Sequence, residues 1–185
     1  MWIQTYTGEK FDFSNPTSAM IHPIDIAEAL SKIVRFTGHT KEPYTVAQHS
    51  YYVMKEVKRM GGGIEEQLWA LLHDATEAYI GDINRPLKFT IGAVIKEIEH
   101  KVMDAILDRF DLHQNSIPAI VKEADEILLH VERRDLLPAY VPWGDDGTSR
   151  EVDLSITDLK IHKCWGYPEA YVNYSQALSY LLSER

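Results

Sequence analysis

The spacing of hydrophobic and polar positions changes character early in this chain. From Trp2 to Phe13 the two classes alternate loosely around Thr7-Gly8-Glu9, the pattern of a short β-hairpin closed by a glycine turn, and Asn15-Pro16 ends it. From Asp25 the period becomes helical. Ile26, Ala27, Leu30, Ile33 and Val34 return on one face behind Pro23, which predicts a first helix over 25–36, before Gly38. Thr45 is an N-cap for a second helix over 46–60, stopped by Gly61-Gly62-Gly63. A third covers 64–79, with Leu68, Leu71, Leu72 and Ala75 on its apolar side and Gly81 behind it. Pro86 marks a loop, and a fourth helix covers 90–110. Ser116 and Pro118 open a fifth that reaches about 137, before Pro138. The last covers 168–183, with Tyr171, Tyr174, Leu178 and Leu181 on one stripe. The pattern therefore predicts an all-α fold, a bundle of about six helices behind a short N-terminal hairpin. Residues 1–185 read as one domain, with 1–20 as hairpin and lead-in. A long irregular stretch over 141–167 holds Gly144, Asp145, Asp146 and Gly147, and reads either as a functional loop or as a solvated one.

Composition narrows the function classes. The chain is 45% hydrophobic and 25% charged, as an ordinary globular protein is. Its net charge of −9 disfavours a broad nucleic-acid surface but leaves room for a small anion in a local basic pocket. One cysteine, Cys164, excludes an intrachain disulfide and fits a reducing compartment; its neighbours His162 and Lys163 make no clear activating set. No cationic leader and no long apolar run are present, so the expected location is the cytoplasm, away from the membrane. Eight histidines against 19 lysines and arginines hint at metal or acid–base chemistry.

His73-Asp74 is the strongest chemical signal. An adjacent His-Asp pair arises easily by chance, but this one follows Ala70-Leu71-Leu72, where a buried charge is costly unless paired or metal-bound. In a continuous helix, Glu77 lies four residues beyond His73 and on its face. A hydrolytic metal site needs further ligands from elsewhere. His49, in Val46-Ala47-Gln48-His49-Ser50, is the upstream candidate. Asp125, which shares its helical face with Val121, Ala124 and Leu128, is the downstream carboxylate. Two imidazoles and two carboxylates suit one divalent first-row ion, Co²⁺, Mn²⁺, Zn²⁺ or Ni²⁺. No P-loop and no Gly-x-Ser-x-Gly elbow is present.

The order His49, His73-Asp74, Asp125 resembles the HD superfamily of metal-dependent phosphohydrolases, over about residues 20–135. His73-Asp74-Ala75-Thr76-Glu77-Ala78-Tyr79-Ile80-Gly81-Asp82-Ile83 is similar to its compact members, which include the bacterial 5′-deoxynucleotidase and the phage-type dATP triphosphohydrolase. The resemblance implies a helical bundle with the metal held between helices. It places Glu77 beside the attacking water and makes Asp82 a second catalytic carboxylate, although Asp82 after Gly81 reads equally as a turn residue. Arg35 and Lys88, the latter in Arg85-Pro86-Leu87-Lys88, are implied at the phosphate, where further Mg²⁺ or Mn²⁺ is expected to accompany the substrate. Phe36 stands where several relatives carry Trp, and Phe36 with Thr37 offers a base pocket, core packing being the plainer reading of Phe36. His39 reads as a loop residue, and Arg133 as a helix-surface cation near Glu132 and Asp135. The expected function is cleavage of the 5′ phosphate ester of a 2′-deoxyribonucleotide. The triphosphohydrolase variant, releasing nucleoside plus triphosphate, is favoured by the short chain and the Arg85-Pro86-Leu87-Lys88 segment, and Arg35, Lys41, Arg85 and Lys88 are enough for a triphosphate if they converge. A 5′-deoxynucleotidase acting on monophosphates and a non-catalytic nucleotide-binding module are the alternatives. The expected partners are that nucleotide and further copies of the chain, with no nucleic-acid polymer and no membrane.

Overall fold

A computed structural model describes residues 1–112, 116–139 and 152–185. The part of the irregular 141–167 stretch that falls on 141–151 lies outside the described residues. The remainder is mostly helical. A two-stranded antiparallel hairpin, β1 (Trp2–Gln4) and β2 (Lys10–Asp12), pairs Ile3 with Phe11. Phe11 is fully buried and stacks on Tyr79 at 4.1 Å between ring centroids. The Thr7 amide and hydroxyl both donate to the Asp25 carboxylate, which ties the turn to the first helix.

The helical segments are α1 (Pro23–Leu30), α2 (Val46–Arg59), α3 (Ile64–Leu72), α4 (Glu77–Ile80), α5 (Arg85–Ile91), α6 (Ala93–Arg109), α7 (Ala119–Leu136) and α8 (Tyr167–Ser183). The all-α class holds. α2 is the central element and packs against α3, α7 and α8. One large apolar cluster joins Val53 and Val57 of α2 to Leu68, Trp69 and Leu71 of α3, Leu128 of α7 and Tyr174 of α8. Full burial of one such aliphatic or aromatic side chain is worth about 1.5–3 kcal/mol. A smaller cluster holds Tyr44, Ile127, Val131, Leu136 and Ile161 together. None of the described helices is long and apolar enough to cross a membrane.

Three predicted helices differ in extent, each for a local reason. The first ends at Leu30 and not near 36. There the Ser31 hydroxyl donates to Ala27 O, and the chain leaves to pair with the segment before α2: Arg35 N donates to Tyr44 O at 2.8 Å and Val46 N to Ile33 O at 3.0 Å. The third is interrupted after Leu72. Across 72–79 the amides of Ala75, Glu77, Ala78 and Tyr79 bond three residues back instead of four, a tighter coil that re-aims the side chains of 73–77. The fourth starts earlier and is cut in two. Asn84 caps α5 by accepting from Leu87 N, Pro86 sits in its first turn, and Gly92 at φ 75° breaks the path into α6. Pro86 is thus a helix-start residue, not a loop marker.

Candidate metal centre

The site lies where the N-terminal half of α2, the coil after α3 and the middle of α7 meet. Thr45 fixes the first of these by accepting from Gln48 N at 3.2 Å, so that His49 falls one turn into α2 on its inner face. His49 is fully buried and His73 is 7% exposed. Their Nε2 atoms are 3.3 Å apart. The Asp74 Oδ2 lies 3.5 Å from His49 Nε2 and 3.3 Å from His73 Nε2. His49, His73 and Asp74 therefore form a cluster that could hold a metal ion. Asp125 stands beside it, with Oδ1 3.2 Å from His49 Nε2 and 3.8 Å from His73 Nε2. The four side chains singled out by the sequence converge.

The donor set fits an ion. His73 Nδ1 donates to Ala70 O at 2.7 Å, and His49 Nδ1 faces the Glu132 carboxylate at 2.5 Å. With both Nδ1 positions spent on acceptors, each ring keeps Nε2 for the site. Two imidazole lone pairs at 3.3 Å repel unless a cation lies between them. In the metal-free chain the surrounding carboxylates favour the protonated form of both rings. Burial and Arg35 oppose protonation of His49, but Glu132 and Asp125 outweigh them and raise its pKa to about 9. Burial likewise opposes His73, and Asp74 raises it. Burial would raise Asp74; His73, His49 and Arg35 hold it far below the usual carboxylate range instead. Asp125, likewise buried, is brought down to about 2 by the hydrogen bond with His49 and the charge of His73.

The remaining predicted residues surround this cluster. Glu77 is 4% exposed, and its Oε2 has no hydrogen-bond partner. Burial first, then the charges of Asp74 and Asp82, push its pKa well above the ordinary value. Asp82 is half-buried and also raised, mainly by burial. Three cations reach site carboxylates: Arg35 NH1 is 3.4 Å from Asp74, Arg85 NH2 is 3.7 Å from Asp125, and Lys88 Nζ is 3.8 Å from Glu77. Lys88 also binds Glu99 at 2.8 Å. Lys41 departs from this set and donates to Asp135 O. Phe36 lies under the Arg35 guanidinium at 5.7 Å, and Thr37 accepts from Asn84. Phe36 and Thr37 both hold left-handed backbone, at φ 55° and 53°, a conformation that costs a non-glycine residue about 1–2 kcal/mol. His39 is exposed, and burial raises the Cys164 thiol, which keeps it protonated.

Glu132 is the residue that sequence reasoning missed as part of the site. It is fully buried, two helical turns beyond Asp125. One of its oxygens meets His49 and the other meets Arg35, at 3.2 Å from Nε and 3.1 Å from NH2. The signal was present: a carboxylate seven residues after Asp125, beside Leu128 and Val131, shares the same inward face.

No known family model matches the chain. It is 40% identical over 136 residues to the uncharacterized protein YfdR of Escherichia coli K12, the match spanning 73% of this chain and 72% of that protein. It is 36% identical over 127 residues to an uncharacterized protein of Rhodobacter capsulatus, spanning 66% of this chain and 64% of that protein.

Proposed function

The chain belongs to the family of Escherichia coli YfdR, and we propose that it is an HD-type phosphohydrolase that uses a divalent transition metal to cleave the 5′ phosphate ester of deoxyribonucleotides. The observation that carries this reading is the pair of imidazoles turned Nε2 to Nε2 at 3.3 Å, with the carboxylates of Asp74 and Asp125 on the same point. His49, His73, Asp74 and Asp125 hold one ion, which supplies Lewis acidity at the phosphoryl group. Co²⁺, Mn²⁺, Zn²⁺ and Ni²⁺ all suit two imidazoles and two carboxylates.

The chain's own groups do the rest. A water attacks the α-phosphorus and the bond from phosphorus to the 5′ oxygen breaks. Glu77 orients the water through its open Oε2 and takes its proton, and Asp82 passes a proton to the departing 5′ oxygen. Burial and the charges of Asp74 and Asp82 raise the Glu77 pKa, the direction that makes an ionised carboxylate a stronger base. Arg35, Arg85 and Lys88 sit within 4 Å of the site carboxylates, where they meet the phosphates of the substrate. Three converging cations favour a triphosphate over a monophosphate, although Lys41 does not join them.

Product analysis tests the reading. Chromatography of dATP incubated with the protein and Co²⁺ or Mn²⁺ yields deoxyadenosine and triphosphate, without dADP or dAMP, and His73→Ala abolishes both products. Deoxyadenosine from dAMP alone replaces this with the 5′-deoxynucleotidase. No product from either nucleotide leaves the binding module.

A further inference from the structure

Glu132 touches neither the implied ion nor the substrate, yet its two oxygens join a candidate ligand, His49, to a candidate phosphate cation, Arg35. Its Oε1 faces His49 Nδ1, and its Oε2 accepts from Arg35 Nε and NH2. Both partners come from other elements. His49 stands in α2, Arg35 between α1 and α2 just ahead of the left-handed Phe36 and Thr37, and Glu132 in α7. All three are withdrawn from solvent, with side chains 0%, 12% and 0% exposed for His49, Arg35 and Glu132.

We propose that Glu132 is a positioning residue that fixes His49 with Nδ1–H turned away from the site and holds Arg35 beside it, so that metal binding and phosphate binding share one support. The proposal rests on the metal reading above. The chemistry of the side chain carries it. An ionised carboxylate only accepts, and here each oxygen serves one donor. A glutamine of the same size cannot do so. Its oxygen satisfies one donor and its NH₂ then confronts the other. With the oxygen drawn to the guanidinium, the amide faces His49 Nδ1. The ring is then pushed to the tautomer that carries its hydrogen on Nε2, where it obstructs the ion. Removing such a hydrogen-bonding support behind a ligating histidine commonly weakens metal binding about 10- to 100-fold.

The test uses the full chain, Zn²⁺ and Co²⁺ as probes, and binding instead of turnover. Competition with a chelator is expected to show Glu132→Gln binding Co²⁺ about 10- to 100-fold more weakly than the wild type, at a circular-dichroism spectrum like that of the wild type. A wild-type protein that takes up neither ion overturns the metal reading itself. A wild type that binds, beside a Glu132→Gln that binds equally well, overturns only the role of Glu132. The Zn²⁺-loaded wild type provides a second measurement that does not depend on the variant folding. Nitrogen-15 spectra of its histidines are expected to show His49 with a slowly exchanging, downfield Nδ1–H. Finding His49 bound through Nδ1 overturns the proposal.

Discussion

The two halves of α2 make opposite physical arguments. Its C-terminal half inserts Val53, Met54 and Val57 into an apolar cluster with Leu68 and Trp69, where burial itself is the gain. Its N-terminal half buries Gln48, His49 and Ser50 completely, where burial is a cost. Gln48 offsets that cost fully, since its amide donates to Lys163 O and accepts from Trp165 N, both at 2.8 Å. His49 offsets it with charge, through Glu132, Asp74 and Asp125. One half of the helix thus holds the fold together, and the other keeps side chains in an arrangement whose use is chemical.

The sharpest separation of the halves comes from the apolar side. Trp69→Ala empties the largest fully buried side chain of the cluster and is expected to cost about 3–5 kcal/mol of stability, read by urea denaturation. The metal stoichiometry of the molecules that remain folded is expected to stay that of the wild type. A loss of metal at unchanged fold would break the comparison. On the polar side the expectation reverses. His49→Ala is predicted to weaken Co²⁺ binding by more than about 100-fold, the cost typical of an outer support being the lower bound, while lowering stability less than Trp69→Ala does.

The pH dependence differs between the halves as well. The folded His49 pKa of about 9 lies above its ordinary 6.5. A raised pKa means that the folded chain binds the proton more tightly than the unfolded one. Its stabilising effect is complete below 6.5 and is lost as pH rises through about 9, a change on the order of 3 kcal/mol in the metal-free protein. Protons and metal compete for the ring, so Co²⁺ affinity is expected to rise across the same window. Denaturation and Co²⁺ titrations at pH 6, 7.5 and 9 check both slopes, and His49→Ala is expected to flatten them. The smallest effect concerns the boundary of the helix. Thr45→Ala removes the cap at Gln48 N and is predicted to cost about 1 kcal/mol, read as a lowered midpoint of thermal unfolding.

The same contrast explains what could be read from the residues alone. The apolar half announces itself by period, and the boundaries of α2, α7 and α8 follow from Thr45, Pro118 and Pro168 with their apolar stripes. The hairpin follows from the glycine turn. The polar half is visible only as chemistry out of place, which is how His49, His73, Asp74 and Asp125 stand out. Period failed where tertiary bonds override it. Nothing in Ile33-Val34-Arg35 says that this segment leaves the helix to pair with Tyr44 and Val46. The apolar period runs on through Leu72, Ala75 and Tyr79, and the weaker helix formers His73, Asp74 and Thr76 carry no Gly or Pro to mark a break, so the tightened coil leaves no trace in that period. Glu132 was passed over because a glutamate beside arginines reads as a surface charge, although its spacing from Asp125 put it inside.

The central claim is that the buried polar cluster is a binding site for one ion. The direct measurement is the metal content of the protein after equilibration with Co²⁺ and removal of excess, by atomic emission, for the wild type and His73→Ala. One ion per chain in the wild type and none in the variant is the predicted result. Less than a stoichiometric amount in the wild type, or an equal amount in both proteins, would contradict the account.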